Sequence, residues 1–259
     1  REILNEVKTT GVGDNKNVLV ELNIETTRHQ EIQVIGNGSW SISMGGRDCS
    51  LQMHEQKLLE VSVTVESLQA AIAQAEQSGQ AEEAKVLSKD LETLQAMEDE
   101  AARFGEAVGL DSVSTFECIV DGDKHFFMEM NTRIQVEHPV SEMVSGIDLV
   151  QEQFRVAAGE VLRFAQEDVV LRGHAIECRI NAEVPSEGFR PSPGLITVWQ
   201  PPQGPNIRLD SHCHAGYRVP IYYDSMLAKL IVYGSDRNEA IQRMRSALAR
   251  FQVDGIGTT

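Results

Sequence analysis

Residues Phe127–Pro139 read FMEMNTRIQVEHP, a stretch in which polar side chains alternate with space-filling ones. Successive side chains of a β-strand point to opposite faces, so an extended 127–139 would gather its polar groups on one face. Those groups are Glu129, Asn131, Arg133, Gln135 and Glu137. The opposite face would carry Met128, Met130, Ile134 and Val136 toward a core. The stretch therefore predicts a strand with one chemically equipped face.

A half-solvated antiparallel strand alternates in the same way, and that simpler interpretation stays open. The choice of polar residues favours a functional site. The stretch has two carboxylates, an amide and a guanidinium but no lysine, whereas a merely solvated face is usually richer in Lys, Ser and Thr.

Composition and charge exclude some functions. The chain has 259 residues, of which 41% are hydrophobic, an ordinary fraction for a globular protein. Its net charge of −16 argues against binding nucleic acid through the phosphates. Residues 66–107 hold ten acidic side chains against three basic ones, so much of the acidity is local. The chain begins with Arg1 rather than Met and is expected to be a segment of a longer protein.

Four widely spaced cysteines, Cys49, Cys118, Cys178 and Cys213, form no Cys-x-x-Cys motif. Reduced, mostly buried thiols are expected, as in a cytosolic or mitochondrial-matrix protein. No apolar run approaches the roughly 20 residues that a membrane-spanning helix needs. His212-Cys213-His214 lacks further ligands at zinc-site spacing, so zinc binding there is disfavoured.

Periodicity changes several times along the chain. Residues 18–59 predict two to three antiparallel strands, with a hairpin at Asn37-Gly38. Helical spacing begins near Glu66 or Ser67, breaks at Ser78-Gly79 and resumes to Gly109, which predicts a helical hairpin. Two strands follow at 115–120 and 125–131, then a helix around 147–158. A strand over 175–183 and a helix that begins with the capping pair Asp236 and Glu239 complete the prediction.

The register of the hairpin between Glu117 and Glu129 can be predicted from its loop. A three-residue loop at Gly122–Lys124 places the two carboxylates directly opposite each other on one face, whereas a two-residue loop separates them. Opposed carboxylates repel unless a divalent cation or a proton lies between them. Glu117, Glu129 and Asn131 supply the hard oxygen atoms that suit Mg²⁺ or Mn²⁺.

Residues 127–139 also resemble the signature of biotin carboxylase, the ATP-grasp ligase subunit or domain of biotin-dependent carboxylases. The resemblance extends through RHQEIQV at 28–34, RDCS at 47–50, GHAIECRINAE at 173–183 and YYDSM at 222–226. It implies an α+β fold, with an ATP-grasp C-terminal lobe over residues 1–165 that contains an inserted helical hairpin at about 66–108. A biotin carboxylase C-terminal domain, incomplete at its end, would follow over residues 166–259.

The resemblance also implies a role for each matching residue. Glu117, Glu129 and Asn131 would bind Mg²⁺ or Mn²⁺. Arg133, Gln135 and Val136 would bind bicarbonate, with Glu137 as its base, and Arg179 would stabilise the enolate-like form of biotin. Glu21 and His29 would lie near adenine and ribose, and Gln52 and Lys57 near ribose and phosphate or bicarbonate. The cofactors implied are ATP, the metal ion, bicarbonate and biotin on a carrier domain, and the partners are that carrier, a carboxyltransferase and a second copy of the chain.

The residues by themselves leave alternatives open. Arg133 could form a strand salt bridge with Glu129 or Glu137, and Arg179 could form a buried pair with Glu177 that has no catalytic role. The chain also departs from the family pattern at three positions: Glu55 lies in a normally basic segment, Gly46 replaces a glutamate and Leu22 replaces a lysine. The glycine-rich phosphate loop of the family is also absent from these residues. A noncatalytic scaffold therefore competes with an active carboxylase, and a different ATP-grasp ligase is a third interpretation.

Overall fold

A computed structural model describes residue 20 and residues 22–25, 27–54 and 56–259. The predicted adenine-side residue Glu21 and the departure at Glu55 lie outside the described residues, as do Val18 and Leu19 of the first predicted strand. In chain order the strands are β1 (Arg28–Asn37), β2 (Ser41–Met53), β3 (Gln56–Val63), β4 (Asp111–Asp121), β5 (Lys124–Asn131), β6 (His174–Asn181), β7 (Glu183–Val184), β8 (Arg190–Pro191), β9 (Gly194–Leu195), β10 (Val198–Gln200), β11 (Ile207–Ser211), β12 (Arg218–Val219), β13 (Met226–Gly234) and β14 (Gln252–Asp254). The α-helices of the described residues are α1 (Val65–Gln77), α2 (Ala81–Ala107), α3 (His138–Ser145), α4 (Leu149–Ala157) and α5 (Arg237–Leu248).

Eight of these strands form one antiparallel sheet in the order β11-β13-β6-β3-β2-β1-β4-β5, as expected for an α+β fold. The pairing of β3 with β6 carries the sheet past the predicted boundary near residue 165. The predicted hairpin at Asn37-Gly38 joins β1 to β2: Gly38 has φ +84°, and the Asn37 side chain accepts hydrogen bonds from the backbone N–H groups of Ser39 and Trp40. A residue with positive φ is most easily a glycine, since it has no Cβ to clash.

The predicted helical hairpin is present as α1 and α2. It begins earlier than predicted, because Thr64 and Ser67 cap α1 reciprocally through their side chains and backbone N–H groups. The second helix is part of the core: Leu94, Met97 and Ala101 are at most 1% exposed and pack on Ile32 and Phe116 of the sheet. An ion pair between Arg28 and Asp90 adds a polar connection from α2 to β1.

Helices cover both faces of the sheet. One face packs on α2 and, through Leu230, Ala240 and Met244, on α5, which is capped by Asp236 as predicted. The other face is covered in part by α3 and α4. The helix predicted around 147–158 is α4, and α3 is an additional helix before it, which ends where Gly146 adopts φ +71°.

All four cysteines are free, and Cys49, Cys118 and Cys178 are buried, in agreement with the prediction for the thiols. Among the described residues, no helix combines the length and the apolar character that crossing a membrane requires.

Candidate active site

One face of the sheet carries a row of polar side chains that runs across six neighbouring strands. Glu31 on β1 lies opposite Arg47 on β2 and opposite Glu117 on β4. Farther along the same face, Glu60 on β3 lies opposite Glu177 on β6. Side chains of directly opposed residues point to the same side of a sheet, so the antiparallel register itself assembles the row.

The two predicted metal-binding carboxylates, Glu117 and Glu129, are directly opposite each other. The predicted three-residue loop is wrong: Asp121 pairs with Lys124, which leaves a two-residue tip. A β-bulge then inserts Met128 into the ladder, because Cys118 pairs with Phe127 while Glu117 pairs with Glu129. A bulge adds one residue to one strand, which here restores the register that the short tip would have shifted.

Asn131 connects these carboxylates. Its Nδ2 donates to Glu117 Oε1 at 2.8 Å and to Glu129 Oε1 at 3.1 Å. His29 Nε2 lies 2.8 Å from Glu117 Oε2, and burial, which raises the pKa of Glu117, is outweighed by this histidine and by the Lys57 charge, so that the pKa falls. The two facing carboxylates and the Asn131 amide, whose oxygen a rotation of the side chain would bring toward them, form a donor set that fits a hard divalent cation. The residues present therefore fit the ion that the sequence implies.

Arg47 organises the centre of the row although it is completely buried. Its guanidinium donates to Glu31 Oε1 and Gln33 Oε1 at 2.7 Å each, and to Ser141 Oγ at 2.8 Å. It also reaches Gln135 Oε1 at 3.2 Å. A buried guanidinium is stable only when its donors are satisfied, so this network fixes the sheet to α3 and to the loop before it.

Beside this network, the predicted base Glu137 contacts two predicted cations. Lys57 Nζ donates to Glu137 Oε1 at 2.5 Å and to Glu31 Oε2 at 2.6 Å. Arg179 Nη2 donates to Glu137 Oε2 at 3.1 Å. Burial alone would raise the pKa of Glu137, but the charges of Arg47, Lys57 and Arg179 lower it to about 2. The carboxylate is thus fully ionised at neutral pH.

Arg179 does not form the pair with Glu177 that was the alternative to a catalytic role. Its Nε donates instead to Glu60 Oε1 at 2.6 Å. Burial would lower the pKa of Arg179, yet Glu60 and Glu137 raise it, so the guanidinium stays charged. One edge of this cation is held by Glu60 while the other reaches Glu137.

The strand predicted over 125–131 is confirmed by β5, but the polar alternation of residues 132–137 does not continue it, since β5 ends at Asn131 and a loop leads into α3. The reason is tertiary: the loop turns so that Gln135 can donate to Glu117 at 2.5 Å while its oxygen accepts from Arg47. The core side of the prediction also fails in part, since Met128 is 47% exposed.

The three residues predicted to bind bicarbonate, Arg133, Gln135 and Val136, all lie in this loop. Arg133 is exposed and makes no ion pair with the residues that the structure describes, so the alternative of a salt bridge to Glu129 or Glu137 is not observed. The Val136 carbonyl accepts from Lys229 Nζ at 2.9 Å. Gln135 is buried in the Arg47 network. Gln135 and Val136 thus connect the loop to the sheet, whereas Arg133 faces solvent.

Two residues that the sequence assigns to the nucleotide side, His29 and Gln52, are in contact. Gln52 Nε2 lies 2.9 Å from His29 Nδ1 and donates to the Cys49 carbonyl at 2.8 Å. If the amide donates to Nδ1, the histidine carries its proton on Nε2, toward Glu117. His29 is then oriented by one neighbour, and its Nε2 lies 2.8 Å from Oε2 of the candidate metal ligand Glu117.

Sequence reasoning missed Glu31, Arg47, Glu60 and Lys229 as members of the site. The signal for the first was present, since His29, Glu31 and Gln33 alternate with Ile32 and Val34 in the same way as residues 127–131. The others become visible only through cross-strand register.

Gly46, the departure from the family pattern that the structure explains, faces α2 rather than the site. A Cβ at this position would lie 2.9 Å from Leu94 Cδ1 and 3.2 Å from the Val63 carbonyl oxygen, so the long helix leaves no room for a larger residue.

Three further histidines lie outside the row of polar side chains. At the β2–β3 turn, His54 adopts φ +49°. His212 and His214 both pack edge-on around Tyr217.

Two known protein families match most of the chain. The family model described as carbamoyl-phosphate synthase L chain, ATP binding domain, matches residues 3–75 and 63–165, and the biotin carboxylase C-terminal domain model matches residues 177–259. Biotin carboxylase 1 of Bacillus subtilis is 46% identical over 266 residues, covering 100% of this chain and 54% of that relative. The chain belongs to the biotin carboxylase family.

Solved biotin carboxylases share the fold. The biotin carboxylase domain dimer of Hydrogenobacter thermophilus 2-oxoglutarate carboxylase, in complex with MgADP, ADP and bicarbonate, has a TM-score of 0.81 and 39% identity, covering 98% of this chain and 51% of that one. The Campylobacter jejuni biotin carboxylase–β-γ-ATP complex has a TM-score of 0.79 and 43% identity, covering 92% and 48%. The chain therefore spans about half the length of the biotin carboxylases that it matches.

Proposed function

We propose that the full protein carboxylates biotin with bicarbonate at the expense of ATP, and that the polar row described above is its active site. The observation that carries this proposal is the contact of Glu137 with both Lys57 and Arg179, close to the facing carboxylates Glu117 and Glu129. A metal-binding set, an ionised base and two cations adjoin one another, as a reaction between a nucleotide phosphate, bicarbonate and biotin requires.

Glu117, Glu129 and Asn131 would hold Mg²⁺ or Mn²⁺, which neutralises phosphate charge when bound. His29 and Gln52 would face the nucleotide, together with Glu21. Sheet position supports these roles, because the three metal residues occupy the edge strand β5 and its neighbour β4, which pairs with β1 and so lies next to His29.

Arg133, Gln135 and Val136 would bind bicarbonate beside Lys57, and Glu137 would accept its proton. A carboxyl group with a pKa of about 2 is a weak base. Binding of an anion to Lys57 and Arg179 would draw their charge away from Glu137 and raise its basicity, which couples substrate binding to base strength. Arg179 would then stabilise the oxyanion of the biotin ureido group, since a permanent cation suits a developing negative charge.

We further propose the wider setting that the resemblance implies. The site would receive biotin on a carrier domain and pass the carboxyl group to a carboxyltransferase, in a homodimer or larger complex in the cytoplasm or, in a eukaryote, the mitochondrial matrix. Residues 1–165 and 166–259 would be the two domains, with residues 66–108 inserted into the first. Because Leu94, Met97 and Ala101 of α2 pack on the sheet, the insertion is more than a solvated spacer.

The deciding experiment measures ATP hydrolysis by the full-length protein with free biotin, with and without bicarbonate. We expect bicarbonate-dependent turnover that falls by at least about 100-fold in Glu129→Gln and Arg179→Ala. Arg190→Ala, which removes an exposed arginine paired with Glu187, is the matched control and should retain activity. Residues 1–259 alone should be inactive, since they contain no glycine-rich phosphate loop. Wild-type protein without bicarbonate-dependent turnover would support the noncatalytic scaffold instead.

A further inference from the structure

Two acidic side chains behind the candidate biotin-side arginine, Glu60 and Glu177, are completely buried. They lie directly opposite each other on β3 and β6. Directly opposed residues have Cβ atoms about 5 Å apart, and both side chains point toward the face that carries Arg179. Two carboxyl groups are therefore held side by side away from water.

Most of their oxygen atoms lack donors. Glu60 Oε1 accepts from Arg179 Nε, but Glu60 Oε2 and both oxygens of Glu177 are buried without a hydrogen-bond partner among the described residues. A buried carboxylate with no donor costs several kcal/mol, whereas a protonated carboxyl group brings its own donor. One proton placed between the two groups would therefore satisfy two of these orphan oxygens.

The neighbouring cations are already bonded to other groups. Lys57 contacts Glu31 and Glu137, and Arg179 divides its nitrogens between Glu60 and Glu137. Lys229 on β13 donates to the Val136 carbonyl and lies 3.3 Å from Asp210. Four charged groups act on the pair: Lys57 on β3, Arg179 on β6, Lys229 on β13 and Glu137 in the loop before α3.

Burial and repulsion between the two acids act in the same direction. Burial, followed by the charge of Glu60, raises the pKa of Glu177 well above its ordinary range. Burial likewise raises the pKa of Glu60 to about 7, against the lowering effect of Arg179. Two adjacent carboxyl groups, of which only Glu60 is hydrogen-bonded to a cation, cannot both ionise easily near neutral pH.

We propose that Glu60 and Glu177 share a single proton at neutral pH and act as positioning residues that set the charge and orientation of Arg179. With one proton in the pair, a single negative charge holds the Nε edge of the guanidinium, and the terminal nitrogens stay directed at Glu137 and the substrate side. Loss of the proton adds a second negative charge beside Arg179 and weakens any anion bound there. Only this last effect on catalysis rests on the proposed function.

Infrared difference spectra of the full-length protein at neutral pH test the shared proton directly. The spectrum of wild type minus Glu177→Gln should contain the C=O stretch of a protonated carboxylic acid, and so should wild type minus Glu60→Gln. In Glu177→Gln, Glu60 keeps Arg179 as its partner and ionises. In Glu60→Gln, Glu177 loses its acidic neighbour and gains the amide of the substituted side chain and the freed Arg179 Nε as donors, so it ionises as well. Glu152→Gln is the matched control, since Glu152 is 5% exposed but pairs with Arg155 and Arg163 away from the site, and its difference spectrum should lack the band.

Two spectroscopic results would overturn the proposal. If neither difference spectrum shows the band, both groups are ionised. If the band appears only for Glu177→Gln, burial alone keeps Glu177 protonated and no proton is shared.

The pH profile of biotin-dependent ATP hydrolysis tests the effect on Arg179. Wild type should lose activity on the alkaline side as the pair deprotonates, and Glu177→Gln should lack that alkaline limb because an amide cannot lose the proton. Glu60→Gln should raise the KM for biotin about tenfold, because Arg179 loses the partner that orients it. An unchanged alkaline limb in Glu177→Gln would refute the effect on Arg179. If wild type shows no turnover, the proposed function fails, and the infrared result alone decides the shared proton.

Discussion

Lys57 Nζ lies 2.5 Å from Glu137 Oε1, so the candidate base and the candidate anion-binding lysine neutralise each other. The same ammonium group contacts Glu31 at 2.6 Å and has little freedom to reach another partner without leaving one of these carboxylates. An entering anion must therefore compete with Glu137 for Lys57. This competition connects the affinity of the site for anions with the proton affinity of its base.

The first prediction concerns the pH dependence of that base. Lys57→Met removes a cation that holds the pKa of Glu137 near 2, so this pKa should rise. Because Glu137 acts only when ionised, the acid limb of kcat/KM should move to higher pH, with a drop of about 10- to 1,000-fold at neutral pH. Lys89→Met, at an exposed pair with Asp123, is the control. An acid limb that does not move in Lys57→Met would contradict the role of Glu137.

A second prediction concerns the divalent ion. Glu117→Gln and Glu129→Gln each remove one hard anionic oxygen from the facing pair, and we expect each to weaken Mn²⁺ binding to the full-length protein by at least about tenfold. Glu100→Gln, at a surface pair with His125, should leave the affinity unchanged. Electron paramagnetic resonance titration of free Mn²⁺ gives the measurement. Equal affinity in all three variants would show that the ion binds elsewhere.

A third prediction concerns stability and lies outside the site. Burial, with a smaller contribution from Asp99, raises the pKa of Glu98 on α2 from 4.5 to about 7. A carboxyl group with a raised folded-state pKa reduces stability progressively as pH increases from 4.5 to 7 and fully above that. Glu98→Gln should therefore stabilise the protein by about 1–3 kcal/mol at pH 8 and by nothing at pH 4. Thermal unfolding at the two pH values measures this, and a pH-independent gain would exclude the titration of Glu98 as its cause.

The fourth prediction couples Gly46 to the long helix. Gly46→Ala should destabilise the protein by about 1–3 kcal/mol, because its Cβ would press on Leu94. Leu94→Ala alone should cost about 2–5 kcal/mol, and the double variant should cost less than the sum of the two. Denaturant unfolding of the four proteins gives the coupling free energy. Val86→Ala, at an exposed position of the same helix, is the control, and strict additivity would argue against the contact.

Local sequence signals predicted much of the fold. The hairpin at Asn37-Gly38, the two helices that meet at Ser78-Gly79 and the cap at Asp236 all depend on residues adjacent in sequence, and the structure contains each of them. Predictions failed where distant residues decide the conformation. Residues 132–137 have the periodicity of a strand but form a loop, because the Gln135 side chain hydrogen-bonds to Arg47 and Glu117.

The site shows the same division between local and distant information. Glu117 and Glu129 could be placed on one face from sequence, although by a different turn than predicted. Glu60 could not be recognised, since a lone glutamate in LLEVSV gives no sign that Arg179, 119 positions away, is its partner. Alternation shows which side of a strand a residue occupies, whereas its neighbour depends on strand order.

The extra residue at Met128 makes the tip of the β4–β5 hairpin independent of the carboxylates farther down. Adding one residue at Gly122-Asp123 would let the ladder run straight from the tip to Glu117 and Glu129, with no bulge required. Related proteins can therefore lengthen this turn by one position during evolution while the two glutamates keep facing each other. Variation in the length of that turn says little about whether the ion site has been retained.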